Sequence, residues 1–214
     1  MSSIPSGPPF RWSNGVRRST RLPEQESDRR FELLIDAHLD AIYRTARRLG
    51  VRPDDVEDLM QEVLVVLARR LSDIEVDKER AFALGTTARL AAGFRRKARR
   101  RPEAPVGELD DEADGQSPLS ARSSPQGERC VEHAEALVLL RRGLDAMTEA
   151  QRVTFVLFEL EELRASEIAA ELGVAEAAVV SRLHRARRVM RRICERQGFS
   201  AATSQLRLGA ERQP

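Results

Sequence analysis

The feature that most constrains this chain is a helix-turn-helix pattern over residues 163–194, LRASEIAAELGVAEAAVVSRLHRARRVMRRIC. Apolar residues recur at helical spacing on both sides of Gly173, so the pattern predicts two short amphipathic helices that meet at this glycine. The apolar positions are Ile168, Ala169 and Leu172 in the first helix, and Val179, Leu183, Ala186, Met190 and Ile193 in the second. An all-helical domain is expected here.

The second of these helices carries a basic face opposite its apolar stripe. Residues 182–196 hold seven arginines and one glutamate, and these like charges repel one another in isolation. Contact with phosphates would convert the repulsion into affinity, because neutralised phosphates release counterions. The competing interpretation is a solvated surface helix of an all-helical protein. The residues predicted to contact DNA are Glu176, Ala177, Val180, Ser181, Arg182, His184, Arg185, Arg187 and Arg188.

Composition sets the broad class of the protein. A chain of 214 residues is long enough for two small domains, and 41% hydrophobic with 33% charged residues is ordinary for a soluble helical protein. No apolar run approaches the roughly 18 residues of a membrane-spanning helix, and no signal-peptide core is present at the start. A cytoplasmic protein without membrane insertion is therefore expected.

The cysteines and histidines do not form a metal-binding pattern. Cys130 and His133 have ligand-like spacing, but the second pair of ligands that a zinc site usually needs is missing. The two thiols, Cys130 and Cys194, are isolated, which argues against a structural disulfide. We expect no metal and no cofactor.

Shifts in composition divide the chain into five segments. Residues 1–27 contain prolines, serines and arginines without periodicity and are predicted to be a disordered arm. Residues 28–101 form the first predicted helical domain. Residues 102–130 hold prolines and serines with two basic and seven acidic residues, as expected for an acidic linker. Residues 131–197 form the second domain, and 198–214 a tail.

Helix boundaries can be predicted from local signals. The first helix has an apolar stripe with Ser27 as its cap and Gly50 at its end, and Pro53 suits the first turn of the second. A third is expected from about residue 78 to 101 and a fourth from about 131 to 147. Thr148 and Gln151 predict a capping box that starts a fifth helix.

The second predicted helix carries a row of acidic residues. Asp55, Asp58 and Glu62 lie at i, i+3 and i+7 and so form one acidic ridge beside the apolar stripe. The helix dipole explains acids in a first turn but not Glu62, which lies two turns further on. A carboxylate-bridged metal centre is disfavoured, because no histidine follows these acids at i+3.

The helix-turn-helix closely resembles the C-terminal DNA-binding region of bacterial RNA polymerase sigma factors of the extracytoplasmic-function class. That family carries a run like R-x-x-x-x-L…E-I-A…L-G-V…V-x-S-R-L-x-R-A-R. The matching residues here are Arg152, Leu157, Glu167, Ile168, Ala169, Leu172, Gly173, Val174, Val179, Ser181, Arg182, Leu183, Arg185, Ala186 and Arg187. Regulators of other families carry similar cores, so this segment alone leaves both classes open.

Residues 54–70, DDVEDLMQEVLVVLARR, resemble the D-x-E-D-L-x-Q-E-x-F signature of sigma factor region 2. In the family this helix docks on a coiled coil of the polymerase clamp. The matching positions are Asp55, Glu57, Asp58, Leu59, Gln61 and Glu62. The resemblance implies that the polymerase-binding residues are Asp55, Asp58, Leu59, Gln61 and Glu62.

The basic cluster over residues 95–101, RRKARRR, follows a segment that in the family recognises and opens the -10 element. The resemblance implies DNA contacts by Arg89, Arg95, Arg96, Lys97, Arg99 and Arg100. The sequence departs from the family pattern at Ala83, Thr87, Leu90 and Phe94, and only Phe82 and Phe94 remain to stack on bases. The competing interpretation of the cluster is a solvated helix end, where cations suit the dipole.

Together these segments predict an all-α, two-domain sigma factor of the extracytoplasmic-function class. It would be a non-enzymatic subunit that brings core RNA polymerase to particular promoters, contacting the polymerase clamp and flap and both promoter elements, and it would be monomeric when free. Many family members are held inactive by an anti-sigma factor, so such a partner is one candidate. The alternatives are a helix-turn-helix regulator that works without polymerase and a sigma-like protein-interaction module. An enzyme is disfavoured, since no phosphate-binding loop or nucleophile elbow occurs.

Overall fold

The computed structural model describes residues 24–100 and 125–196, and every element within them is a helix. The seven α-helices of this part are α1 (Glu24–Arg48), α2 (Pro53–Arg70), α3 (Glu79–Arg99), α4 (Pro125–Asp145), α5 (Glu149–Phe155), α6 (Ala165–Leu172) and α7 (Glu176–Arg196). Short 3-10 turns at Leu71–Asp73 and Val76–Lys78 connect α2 to α3, and a π-helical turn at Val156–Leu160 continues α5. The predicted all-α fold with two helical domains is confirmed.

Helices α1, α2 and α3 form the first domain and pack against one another in a bundle. Apolar side chains from all three are removed from water in its core, which is the main favourable term for such a small domain. The largest of the fully buried side chains are Leu34, Ile42, Leu49, Leu59, Val63, Leu67 and Leu84. The amphipathic pattern of each helix therefore determines which faces meet.

The ends of α1 test two of the sequence-based boundaries. The helix already begins at Glu24, so Ser27 lies within its first turns and the predicted Ser27 cap is wrong. Gly50 does end the helix in the left-handed region, with φ of +85°. Its N–H donates to the Arg47 carbonyl oxygen at 2.9 Å, and the Val51 N–H donates to Ala46 at 3.1 Å, which satisfies carbonyls of the last turn.

The second domain consists of α4 to α7. Helix α4 begins at Pro125 and not near residue 131. Proline fits this position because the N–H that it lacks would have no partner in the first turn of a helix. The last six residues of the predicted linker are therefore helical. The capping box is confirmed: Thr148 Oγ1 accepts from the Gln151 N–H at 3.4 Å, and Gln151 Oε1 accepts from the Thr148 N–H at 3.0 Å.

The π-helical turn gives the second domain an irregular corner between α5 and α6. The Glu161 N–H donates to the Val156 carbonyl oxygen at 3.0 Å, which closes one wide turn. Glu162 then adopts φ of +55°, the only non-glycine residue with positive φ in the described part of the chain. This corner directs the Glu161 side chain toward the first domain.

The two domains contact each other directly. Helix α6 lies against α3, and the π-helical turn lies against α1. Across this contact, Glu161 pairs with Arg48 and Arg80, and Glu171 pairs with Arg89. Within residues 24–100 and 125–196, no helix has both the length and the hydropathy needed to cross a membrane.

Candidate nucleic-acid interface

The helix-turn-helix is formed by α6 and α7, as predicted. Gly173 joins them in the left-handed conformation, with φ of +63°, and the Val174 N–H donates to the Ala169 carbonyl oxygen at 3.0 Å. At the other end of α6, the Arg164 N–H donates to Glu167 Oε2 at 2.7 Å. The turn and both ends of the short helix are thus fixed by hydrogen bonds, which positions α7.

Helix α7 has one buried face and one exposed face. Its buried residues are Val179, Leu183, Ala186 and Met190, which confirms four positions of the predicted stripe, while Ile193 is half-buried. Val180 is 54% exposed, which is high for a large apolar side chain and leaves a methyl-bearing surface at the start of the basic face. Six predicted DNA contacts are exposed, namely Glu176, Ala177, Val180, His184, Arg185 and Arg188, and two are half-buried, Ser181 and Arg182.

Arg187 differs from the other arginines of α7 because it is engaged within its own domain. Its Nε donates to Glu159 Oε1 at 2.6 Å, and its guanidinium lies 5.6 Å from the centre of the Phe158 ring. The Glu159 side chain is only 9% exposed, so this ion pair lies largely away from water. The geometry fits a residue that fastens α7 to the π-helical turn and leaves phosphate contact to its neighbours.

Arg187→Gln should destabilise the fold, whereas Arg188→Gln should mainly weaken DNA binding. Loss of the Arg187 guanidinium leaves the largely buried Glu159 carboxylate without its partner, which we expect to lower the free energy of unfolding by about 1–3 kcal/mol. Arg188 is exposed, so its replacement should change stability by less than about 0.5 kcal/mol. Urea denaturation measures both variants, and equal losses of stability would contradict this division.

The basic end of α3 presents several cations on one surface. Arg96, Lys97 and Arg100 are exposed and Arg95 is half-buried, whereas the Arg99 side chain is outside the described part. The Lys97 ammonium lies 5.9 Å from the centre of the half-buried Phe94 ring. These side chains provide a compact positive surface with one aromatic ring at its edge.

The departures from the family pattern in α3 lie in different environments. Ala83 and Thr87 are fully buried, and the Thr87 hydroxyl donates to the Ala83 carbonyl oxygen at 2.8 Å. Leu90 and Phe94 are half-buried and pack against the core. In this arrangement none of the four presents a fully exposed polar group to a base.

Arg89, predicted to contact the -10 element, lies in the contact between the two domains. Its Nη1 approaches Glu171 Oε2 at 3.3 Å and also donates to the Glu171 carbonyl oxygen, while Nη2 donates to Thr86 Oγ1 at 2.8 Å. Its guanidinium also lies 5.9 Å from the centre of the Phe82 ring. Burial lowers the pKa of Arg89 from its usual value, against the opposing effect of Glu171. The side chain is 20% exposed and therefore largely covered.

The acidic ridge of α2 faces outward. Asp58, Gln61 and Glu62 are exposed and Asp55 is half-buried. Leu59, which the signature match includes among the polymerase-binding residues, is completely buried between the helices. The structure therefore places Leu59 in the core, where it holds α2 in position, and leaves the polar residues to form the surface.

Glu161 is an interdomain residue that the sequence analysis missed. Its carboxylate accepts from Arg48 Nη1 at 2.8 Å and approaches Arg80 Nη2 at 3.2 Å, and its side chain is 1% exposed. The run FELEEL contains three glutamates, and no local pattern distinguishes which of them another domain covers. Glu161 follows Leu160 and precedes Glu162, so its neighbours in the sequence do not indicate that it is buried.

Family models of known proteins match both helical domains of this chain. The family model for Sigma-70 region 2 matches residues 34–101, and the model for Sigma-70 region 4 matches residues 137–190. The RNA polymerase sigma-E factor of Streptomyces coelicolor is 31% identical over 159 residues, which cover 73% of this chain and 81% of that protein. The ECF RNA polymerase sigma factor SigE of Mycolicibacterium smegmatis is 29% identical over 175 residues, 81% of this chain and 65% of that protein.

This chain belongs to the extracytoplasmic-function class of RNA polymerase sigma factors. The matched ranges correspond to the two helical domains, with α1 to α3 as region 2 and α4 to α7 as region 4.

Solved structures share the fold of this sigma factor. CnrH, solved in complex with the cytosolic domain of CnrY, superposes with a TM-score of 0.56 at 21% identity, over 80% of this chain and 93% of that one. RpoE of Bartonella quintana, solved with the anti-sigma factor NepR, gives a TM-score of 0.54 at 18% identity, over 77% and 96% of the two chains. At these identities the likeness shows the fold alone.

Metal-ligating residues do not cluster in the described part of this sigma factor. No group of three or more His, Cys, Asp or Glu side chains is arranged to hold an ion within residues 24–100 and 125–196. Cys194 is a free, half-buried thiol, and burial raises its pKa above the usual value. The side chains of Cys130 and His133 are outside the described part.

Proposed function

We propose that this sigma factor brings core RNA polymerase to promoters through four surfaces on two domains. The acidic ridge of α2 docks on the clamp coiled coil, the basic end of α3 contacts the -10 element, and the first turns of α7 enter the major groove of the -35 element. Another face of the second domain meets the polymerase flap. The protein acts by recognition without catalytic chemistry, in the cytoplasm with the polymerase.

The observation that carries this proposal is the outward-facing acidic ridge on a helix whose apolar face is buried. Asp58 and Glu62 are exposed side by side, and neither forms an ion pair with the described residues of the chain. Exposed acids are common, but a regulator that only binds DNA has no need for a second domain with such a ridge. A basic partner surface on core polymerase explains it.

Footprinting with and without core polymerase tests this proposal against a regulator that works alone. We expect protection of both promoter elements only when core polymerase is present, and a monomeric free protein in sedimentation. Equal protection by the protein without polymerase, together with a homodimer, would favour the regulator.

CnrH and the Bartonella RpoE were solved with partner proteins, which supports a search for an anti-sigma partner of this chain by co-purification.

Strand opening is expected to be weak on duplex promoters. Leu90 and Phe94 replace the usual polar residues and pack against the core, so fewer side chains offset the cost of unstacking bases. A template with a pre-melted -10 region should therefore be transcribed much better than the closed duplex. Parallel run-off assays on the two templates measure this, and equal yields would contradict it.

A further inference from the structure

The outward face of α1 carries apolar side chains that the described part of the chain leaves uncovered. Leu33 is 62% exposed and Tyr43 is 49% exposed, and Ala37, one helical turn after Leu33, is exposed as well. Residues four apart are neighbours on the same face of a helix, so Leu33 and Ala37 form one apolar strip. Contiguous exposed apolar side chains with charged residues around them are typical of a surface that a partner covers.

Acidic side chains flank this apolar strip. Among residues 26–48 of α1, five carboxylates and two guanidiniums are exposed. The carboxylates form no ion pair within residues 24–100 and 125–196. Like charges four residues apart repel one another along a helix, so a basic and apolar occupant would stabilise this face. The carboxylates are those of Glu26, Asp28, Glu32, Asp36 and Asp40, and the guanidiniums those of Arg29 and Arg44.

The residues that precede α1 have the complementary composition. Residues 1–23 contain four arginines, no acidic residue and two aromatic residues, Phe10 and Trp12. A segment of this composition buries too little apolar surface to fold alone. Any order that it gains must therefore come from a surface elsewhere on the protein.

The spacing of the two aromatic residues fits the strip on α1. In an extended chain, side chains two residues apart point to the same side and lie about 7 Å apart. Leu33 and Ala37 are separated by about 6 Å along the helix axis. Phe10 and Trp12 can therefore cover both residues at once. The proline pair before Phe10 favours the extended backbone that this contact needs.

The tether between Trp12 and α1 is long enough for the contact. The twelve residues from Trp12 to Glu24 span up to about 40 Å when fully extended. Leu33 lies nine residues after Glu24, about 14 Å along the axis of α1. The chain can thus reverse its direction and still reach Leu33, and the tether gives the segment a high effective concentration at this helix.

We propose that residues 1–23 of this sigma factor fold back along α1 and pack Phe10 and Trp12 against Leu33 and Ala37. The four arginines of the segment then lie among the carboxylates of the same face, where charge-assisted hydrogen bonds add to the apolar contact. The contact needs neither DNA nor polymerase. It therefore goes beyond the proposed function and does not rest on it.

The acidic ridge of α2 is the competing surface for a basic segment in the first domain. Asp58 and Glu62 supply negative charge there, and Val65 on the same helix is 47% exposed. Helix α1 is favoured because Leu33 is the more exposed apolar residue and because the segment leads directly into this helix. The two surfaces can be distinguished by mutation.

Trp12 is the only tryptophan of the chain, so its fluorescence reports this contact directly. In the full chain, we expect Trp12 to emit at a shorter wavelength than in the chain unfolded in urea and to be less accessible to acrylamide. Leu33→Ser should reduce the ratio of docked to free segments roughly tenfold, because it removes much of the apolar area that the aromatic residues cover. The matched control is Val138→Ser, which removes an exposed apolar side chain from α4 and should leave Trp12 as in the parent.

Asp36→Asn with Asp40→Asn tests the charge complementarity. We expect this double variant to increase the accessibility of Trp12, and added salt should do the same in the parent because it screens exposed charges. Asp58→Asn with Glu62→Gln is the control, since it removes the same net charge from α2. Circular dichroism establishes that each variant is folded.

Release of Trp12 by both α1 variants and by neither control is the result that the proposal predicts. A Trp12 that is fully accessible in the parent overturns it, as does a protected Trp12 that either α1 variant leaves unchanged. Release by Asp58→Asn with Glu62→Gln assigns the segment to the acidic ridge instead. Protection that is lost on dilution assigns the face to a second copy of the chain, and protection that appears only with added DNA assigns the segment to DNA.

Discussion

Replacing Asp58 with asparagine and Glu62 with glutamine should weaken binding to core RNA polymerase by at least about 100-fold. Both carboxylates are exposed on α2 and are expected to meet basic residues of the clamp. Removal of one partner of a desolvated charge pair leaves the other charge buried and unpaired, which is why the effect is large. Titration of labelled protein with core polymerase measures the change directly.

The matched control is Asp36→Asn with Asp40→Asn on α1. These two carboxylates are also exposed and four residues apart, and their loss changes the net charge equally. We expect the control pair to bind core nearly as tightly as the parent. Equal weakening by both pairs would mean that overall charge, and not the acidic ridge, drives association.

Glu176→Ala should change which promoters are preferred, while Arg185→Ala should weaken binding to all of them alike. The first turns of a recognition helix contact base edges, and Glu176 could accept a hydrogen bond from a cytosine amino group. Its loss should alter the ranking of -35 sequences by roughly 1–3 kcal/mol. Arg185 is exposed further along α7, where it is expected to bind a phosphate, so its loss should reduce the salt slope by about 0.9.

A salt series on matched and mismatched -35 sequences measures both effects. Glu176→Ala should leave the salt dependence almost unchanged, and Arg185→Ala should leave the ranking almost unchanged. If Arg185→Ala reorders the promoters and Glu176→Ala does not, α7 lies in the groove in a different register from the one proposed.

Helical periodicity predicted the parts of the fold that depend on local sequence. The buried positions of α7 could be identified because an amphipathic helix in a small domain has only one way to cover its apolar stripe. The capping box of Thr148 and Gln151 and the turn at Gly173 could be predicted equally well, because each is formed by residues close together in the sequence. The helix starts were less accurate, because a helix can extend past a plausible cap such as Ser27.

Helical periodicity could not predict which side chains pair with or cover the residues of the functional surface. Periodicity places Arg187 on the basic face, but its pairing with Glu159 depends on the π-helical turn and on how α5 meets α7. Matching a signature likewise grouped Leu59 with the polar residues around it, although its side chain lies in the core. Whether Arg89 is covered depends on a contact with Glu171, far away in the sequence.

The most direct test of the central claim is run-off transcription with purified core RNA polymerase, this protein and a library of promoter sequences. The account predicts that the protein makes core polymerase initiate from a distinct set of promoters that share -35 and -10 elements. It further predicts that this activity is lost when Asp58 and Glu62 are replaced together. Transcription that is the same with and without the protein, across the whole library and on pre-melted templates, would contradict it.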